Sequence, residues 1–443
     1  MRVYIETYGC ALNKADTSLM KALLQKCGCE VVSSIEDADV IIVNTCTVRL
    51  DTEQRILKRL RKLKEIARKI NAKLVIAGCM VSAQPYTLHK LVPEASLISP
   101  QNIHRICEVV WSKETKFLIK GERDISKLPL HIEGSIAIIP IAEGCLGNCA
   151  YCITKIARRR LRSYPPRLII DAVRKAVEKG AVEIDLTAQD TASYGLDLGP
   201  RGPRLPDLIE EILRRVPGNY FIRIGMANPD TLEPILSDTI EILKEPRVFK
   251  YVHIPLQSAS NHVLKIMRRK YTFEEFKHIV QRLRSRIPEI TIATDIIVGH
   301  PGESEEDFQT TLEAVKELLF DKVHLAQYTP RPRTEAAAMP QVPDPVKKRR
   351  STVLAKLIED TGLTINRQYI GSHARAVLTH LSFRRSVVGR LFNYKPVILT
   401  DATPDLLGSQ ARVLIREATF YDLRGSLLDV YSTKNIRRNI NNA

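Results

Sequence analysis

Short apolar runs alternate with amphipathic stretches along the first 130 residues. Val40-Ile-Ile-Val43 and Leu74-Val-Ile-Ala77 are continuous apolar runs, the pattern of parallel strands buried on both faces, and Val3 to Thr7 reads as a third strand. Residues 15–26 read as a helix. Residues 52–70 carry Ile56, Leu60, Leu63, Ala67 and Ile70 at helical spacing with basic residues on much of the rest, which predicts an amphipathic helix. From 131 to 365 strand-then-helix recurs six times. The strands fall near 136–140, 182–187, 220–224, 250–254, 290–298 and 322–327. The helices fall near 167–179, 205–215, 231–243, 260–286 (as two) and 304–319. Six such units predict a partial (βα)6 barrel with its site at the C-terminal ends of the strands. A helix over 345–362 then leads into short β-like runs at 374–378, 387–391, 396–399, 410–415 and 427–430, separated by glycines, the pattern of a small β-barrel. The fold class is therefore α/β, in three domains: a parallel-sheet domain over 1–128, the barrel over 131–365 and the small β-barrel over 366–433. A length of 443 residues suits this, since one core rarely grows past roughly 250–300. The tail, 434–443, is expected to fray.

Charge sharpens this division. Lys and Arg exceed Asp and Glu by 17. Residues 1–130 hold 21 Lys/Arg against 14 Asp/Glu, residues 131–365 hold 34 against 31, and residues 366–443 hold 12 against 5. Basic ends flank a nearly neutral middle, as expected of a catalytic centre between modules that grip a polyanion, nucleic acid first. No apolar run approaches the ~20 residues of a membrane helix. The N-terminus Met1-Arg-Val-Tyr-Ile-Glu6 lacks an apolar signal core, so a cytoplasmic location is expected, with no membrane partner.

Nine cysteines without a signal segment argue against a disulfide framework and leave metal ligation, catalysis or burial. Cys10, Cys46 and Cys79 each follow the C-terminal end of a predicted strand, the edge where open α/β sheets bind ligands. Three buried thiols and a converging ligand set both remain open on that placement. Cys27, Cys29 and Cys107 lack it and read as core or incidental. Cys145, Cys149 and Cys152 follow the first barrel strand in Gly144-Cys-Leu-Gly-Asn-Cys-Ala-Tyr-Cys152. Three thiolates at CxxxCxxC spacing suit three irons of a 4Fe-4S cluster and leave a fourth iron without a protein ligand. Zinc is the alternative, but no fourth Cys or His lies nearby.

This spacing resembles the signature of the radical S-adenosylmethionine (SAM) superfamily. The resemblance implies SAM bound at the open iron and cleaved by one electron to methionine and a 5′-deoxyadenosyl radical. Asp295-Ile-Ile-Val-Gly-His-Pro-Gly-Glu303 looks like the family's motif behind the adenine. Leu186-Thr-Ala-Gln-Asp190 sits where the family holds the SAM amine. On this basis the cofactor-binding candidates are Tyr151, Gln189, Asp190, Arg223 and Gln257. Further, Tyr8-Gly-Cys-Ala-Leu-Asn-Lys-Ala-Asp16, Asn44-Thr-Cys-Thr-Val-Arg49, Gly78-Cys-Met80, His253-Ile-Pro-Leu-Gln-Ser258 and Met267-Arg-Arg-Lys-Tyr271 resemble motifs of the methylthiotransferase family. That likeness covers essentially the whole chain. It implies a second 4Fe-4S cluster on Cys10, Cys46 and Cys79, and an RNA-binding TRAM domain over about 367–432. Thr154-Lys-Ile-Ala-Arg158, Leu161-Arg-Ser-Tyr-Pro165 and Leu186 to Gly195 are most similar to the archaeal and eukaryotic threonylcarbamoyladenosine tRNA branch. Three positions depart from it: Arg159 and Ala259 where Gly is usual, and His300 where Phe is usual.

What the resemblance implies is methylthiolation at C2 of N6-threonylcarbamoyladenosine at tRNA position 37. Two SAM molecules would be used, one for the methyl group and one for the radical. The expected partners are the tRNA anticodon stem-loop, an electron donor protein and a sulfur source. Two rivals remain at this stage. One keeps the chemistry on another tRNA adenosine derivative or a ribosomal-protein side chain. The other is a non-catalytic iron–sulfur or zinc RNA-binding protein.

Overall fold

The computed structural model describes residues 1–431; the expected fraying of 434–443, and the last two residues of the C-terminal range, lie outside it. Among the described residues no helix is long and apolar enough to cross a membrane. The chain packs as two compact units. One comprises residues 1–131, 138–168 and 329–338, the other residues 132–137, 169–328 and the described residues from 339 to 431.

The apolar runs of the first unit form an all-parallel six-stranded sheet. Its order is Glu30–Val32, Arg2–Thr7, Val40–Thr45, Lys73–Gly78, Ser96–Ile98 and Phe117–Leu118. Every residue of Val40–Thr45 is buried, as a strand with both faces covered requires. Helix Leu50–Lys69 lays Ile56, Leu60, Leu63 and Ala67 on one face of the sheet. Removing the three large side chains from water contributes roughly 5–9 kcal/mol before the entropy of ordering them. The other face is covered by Ala11–Lys26 and Ile106–Trp111, which bury Met20, Leu24, Ile106, Val109 and Val110 against Val3, Val40, Ile42 and Val75. That packing corrects one expectation. Cys27, at the end of Ala11–Lys26, meets Cys107 of the neighbouring helix, and the two form a disulfide 80 residues apart in sequence. Neither cysteine is incidental. Their pairing was hidden because it depends on which two helices share a sheet face.

In the second unit the βα alternation is realised closely. Strands Glu183–Thr187 and Phe221–Ile224 pair in parallel, as do Tyr251–His253, Thr291–Val298 and Lys322–Gln327. Parallel bridges at Ile222–Val248 and Met226–His253 join the two sets. The first strand, Ile136–Pro140, starts beside them, with Ser135 accepting from the backbone N–H groups of Val182 and Glu183 at 2.8 and 3.1 Å. Helices Pro166–Glu178, Leu205–Arg215, Leu236–Lys244, Phe273–Arg286 and Glu305–Leu318 follow the alternation. The expected helix at 231–243 is broken by a 3-10 turn at Glu233–Ile235, where Pro234 interrupts the α pattern. Helix Asp344–Arg367 leads into a closed five-stranded barrel built from His373–Leu381, Val387–Leu391, Pro396–Leu399, Gln410–Ala418 and Leu423–Tyr431. Inward residues such as Leu378, Val387, Val397, Val413 and Leu423 fill it. Val377, Phe392 and Tyr394 of this barrel pack on Val182, Phe221, Phe249, Tyr251 and Ala293, at the starts of the βα strands.

Candidate metal centres and cofactor residues

Strands Arg2–Thr7, Val40–Thr45 and Lys73–Gly78 lie side by side, with Thr7 level with Asn44 and Thr45 level with Gly78. Their C-terminal loops therefore leave the sheet together, carrying Cys10, Cys46 and Cys79. Gly9 sits at φ +104°, and a β-carbon there would lie 2.9 Å from the Cys46 sulfur. Only glycine lets the first loop pass so close to the second thiol. Asn13, fully buried, ties the loops together. Its Nδ2 donates to the carbonyls of Tyr8 and Thr45 at 2.7 and 3.0 Å, and its Oδ1 lies 3.7 Å from the Cys79 sulfur. Thr45 Oγ1 donates to the Ala77 carbonyl at 2.6 Å, and Arg331 Nη2 donates to that of Thr47 at 2.9 Å.

Burial sets the chemistry of these thiols. It pushes Cys79 up to about 12 and raises Cys46 as well. Bare, they favour the neutral form, and ionisation needs a cation at the sulfur. Cys10 is exposed at the head of helix Ala11–Lys26. The donor set is three thiols, and an acceptor of soft metal fits it better than a hard oxygen-seeking ion.

The CxxxCxxC loop lies in the same compact unit. Cys145 N–H donates to the Arg159 carbonyl at 3.1 Å, Gly147 N–H to the Cys145 sulfur at 3.2 Å, and Cys152 N–H to the Cys149 carbonyl at 3.2 Å. A β-carbon on Gly147 would lie 3.2 Å from the Cys145 sulfur and 3.7 Å from that of Cys149, so these two thiols face one small cradle. Burial raises Cys152 too. Tyr151 is half-buried in the turn between them. Beside Cys145 opens a cavity of about 920 Å³ whose walls include Leu146, Lys155, Arg159, Arg160 and Arg162. Both thiol sets thus fit an iron–sulfur cluster in donor type and in the close approach that glycine allows.

Sequence reasoning missed what connects these loops. Helix Thr154–Arg158 starts two residues after Cys152 and ends in a fully buried arginine. Arg158 Nη1 lies 2.8 Å from Asp16 Oδ2 and 2.9 Å from Glu143 Oε2, and Nη2 donates to Asn13 Oδ1 at 2.7 Å. Arg123 reaches Asp16 Oδ1 at 2.9 Å and the Tyr164 hydroxyl at 3.0 Å. Burial opposes charge on Arg158, but Asp16, Cys79 and Glu143 outweigh it and keep the guanidinium protonated. Asp16 and Arg158 both stand inside quoted motifs, which was the available signal. Arg123 carried none.

The remaining candidates lie in the second unit. Gln189 Oε1 and Gln257 Oε1 are buried acceptors without a hydrogen-bond partner. Gln257 has φ +69°, held by its N–H donating to the Asp295 carbonyl at 2.7 Å. Asp190 is buried with both oxygens engaged, Oδ1 by Asn228 N–H at 3.0 Å and Oδ2 by Thr231 Oγ1 at 2.8 Å. Arg223 lies 5.3 and 5.6 Å from the Tyr251 and Tyr394 rings, beside a cavity of about 470 Å³ shared with the C-terminal barrel. In the Asp295–Glu303 segment, Glu303 accepts from Gly299 N–H at 2.6 Å and pairs with Arg350 at 2.6 Å, which fixes the turn.

Comparison with known proteins agrees with this reading. Residues 139–315 match the Radical SAM superfamily, residues 2–99 match "Uncharacterized protein family UPF0004" and residues 367–428 match the TRAM domain. A relative from Methanocaldococcus jannaschii, named "Probable threonylcarbamoyladenosine tRNA methylthiotransferase", is 39% identical over 97% of both chains. Relatives named threonylcarbamoyladenosine tRNA methylthiotransferase are 36% identical in Danio rerio, over 97% of this chain and 78% of that one, and 34% identical in Homo sapiens, over 96% and 73%. Among solved structures, a radical SAM methyltransferase from Kitasatospora setae shares the fold at TM-score 0.59 and 15% identity, over 76% of this chain and 77% of that one. The chain belongs to the threonylcarbamoyladenosine tRNA methylthiotransferase family of radical SAM proteins.

Proposed function

We propose that this protein is a tRNA methylthiotransferase that replaces the C2 hydrogen of N6-threonylcarbamoyladenosine, at position 37 beside the anticodon, with a methylthio group. A C2–H on an aromatic ring has no useful acidity, so a general base cannot remove it and hydrogen-atom abstraction is needed. SAM and two 4Fe-4S clusters, the cofactors of this family, supply the radical, the methyl group and the site of sulfur when bound. Cys145, Cys149 and Cys152 would hold the cluster that cleaves SAM, and Cys10, Cys46 and Cys79 the auxiliary one. Tyr151, Gln189, Asp190, Arg223 and Gln257 would bind SAM. In this reading 1–128 would serve the auxiliary cysteines, 131–365 SAM and 366–433 RNA. The basic ends and the TRAM barrel would grip the anticodon stem-loop by its phosphates, leaving the unstacked loop base to be read in a pocket. An electron donor protein and a sulfur source complete the partners, in a cytoplasmic setting.

The observation that carries this reading is the level register of the three strands, which delivers three thiol-bearing loops to one edge of the unit that also holds the CxxxCxxC loop. Iron content tests it. Anaerobically reconstituted protein should hold about eight irons per chain and release 5′-deoxyadenosine from SAM on reduction. Exchange of Cys145, Cys149 and Cys152 for Ala should halve the iron and abolish that release. Zinc in place of iron, with no SAM cleavage, would instead establish the non-catalytic reading.

A further inference from the structure

Arg158 stands where the two thiol-bearing regions of the first unit meet. It ends the short helix that the CxxxCxxC loop feeds into. Its side chain, 1% exposed, meets Asn13 and Asp16 in the first turns of helix Ala11–Lys26 and Glu143 just before the CxxxCxxC loop. Two carboxylates clamp one nitrogen, Asp16 at 2.8 Å and Glu143 at 2.9 Å. The other nitrogen donates at 2.7 Å to Asn13 Oδ1, the oxygen that lies 3.7 Å from the Cys79 sulfur. Its positive charge also acts electrostatically on Cys79, Cys10 and Cys46.

A fork this constrained cannot swing away when its surroundings change. Four buried charges make up its core, Arg123 and Arg158 against Asp16 and Glu143, and they cancel. Any negative charge arriving on the thiols is therefore in excess, and Arg158 is the cation tied to them through Asn13. Coulomb interactions persist over such distances where water is excluded. Ion pairs whose only role is stability are often replaceable by apolar side chains at little cost. Here the pair aims its spare donor at a thiol loop, which stability does not require.

We propose that Arg158 is a positioning residue for the auxiliary cluster: its guanidinium, locked by Asp16 and Glu143, fixes Asn13 and Cys79 and sets the electrostatic potential felt by whatever metal the three thiols hold. The proposal rests on the reading that Cys10, Cys46 and Cys79 bind an iron–sulfur cluster. Reduction adds an electron, so a nearby cation favours the reduced form and raises the midpoint potential. Deleting the cation lowers it. Deleting the carboxylate that offsets the cation raises it.

The test uses the full chain with Cys145, Cys149 and Cys152 exchanged for Ala, so that only the auxiliary cluster contributes to the spectrum. Two further variants are made in it: Arg158→Gln with Asp16→Asn, which removes one charge of each sign, and Asp16→Asn alone. The midpoint is read from the electron paramagnetic resonance signal in a reductive titration. The paired variant should titrate at a more negative potential than the parent and Asp16→Asn alone at a more positive one. A structural role moves both in one direction or neither. Midpoints that stay put, or shift with the same sign, would overturn the proposal. A parent that binds no iron defeats the reading of the three thiols, and the proposal with it. Iron bound normally with unmoved potentials defeats the proposal alone.

Discussion

At the scale of single residues, the three departures from the family's usual sequence become physically distinct. Arg159 occupies φ +61°, ψ −141°, a region that suits glycine, while its carbonyl accepts from Cys145 N–H. A side chain there is held under backbone strain of order 1–3 kcal/mol. Arg159→Gly should therefore raise the unfolding midpoint, or leave it unchanged after the added chain entropy, whereas Arg159→Ala should bring no gain. Calorimetry of the two variants checks this. His300 is fully buried, packed edge-on to Tyr328 at 5.1 Å. Burial drives its pKa down to about 4. An unfolded His takes a proton near 6.5, so between about 6.5 and 4 the unfolded chain gains protons that the folded one refuses. Stability contributed by neutral His300 is thus complete above that window and is lost as pH falls through it, by roughly 2–3 kcal/mol. His300→Phe should keep the packing and flatten this acid limb; an unchanged slope of midpoint against pH would refute the assignment. Ala259 is buried, and nothing in the structure explains its replacing Gly.

At the scale of elements, legibility followed periodicity. Val40–Thr45, Leu50–Lys69, the βα strands and the five strands of the small barrel each carry a pattern that the local chain alone must satisfy, so their positions were read within a few residues. The six candidate cluster cysteines were legible for a related reason: strand ends and short spacings are local. The Cys27–Cys107 disulfide and the Arg123–Asp16–Arg158–Glu143 network were not. Cys27 and Cys107 stand 80 positions apart, and Asp16 lies 107 and 142 positions from Arg123 and Arg158, so only the stacking of elements brings them together. The disulfide has a measurable consequence. Closing a loop of this size restricts the unfolded chain by up to about 4 kcal/mol. Reductant, or Cys27→Ser with Cys107→Ser, should lower the unfolding midpoint of the first unit, while reductant should leave the double variant unaffected. Equal midpoints with and without reductant in the parent would contradict the pairing.

At the scale of the whole molecule, charge is spread unevenly along the chain. The surplus of 17 positive charges lies mostly at the two ends of the chain, while the middle is nearly balanced. If those ends hold RNA phosphates, affinity for tRNA should fall steeply and linearly on a log–log plot against salt. Deleting the TRAM segment should flatten that slope more than it alters SAM cleavage. A slope independent of the segment would assign the grip elsewhere. The family's reaction, the paired cysteine sets and the TRAM barrel all converge on one modified nucleoside. The most direct measurement is mass spectrometry of nucleosides from tRNA bearing N6-threonylcarbamoyladenosine, before and after incubation with reconstituted, reduced protein, SAM and a sulfide source. The account predicts conversion of that nucleoside to its 2-methylthio derivative, lost when Cys10, Cys46 and Cys79 are exchanged for Ala. An unchanged threonylcarbamoyladenosine peak alongside active SAM cleavage, or a methylthio group on a different nucleoside, would contradict it.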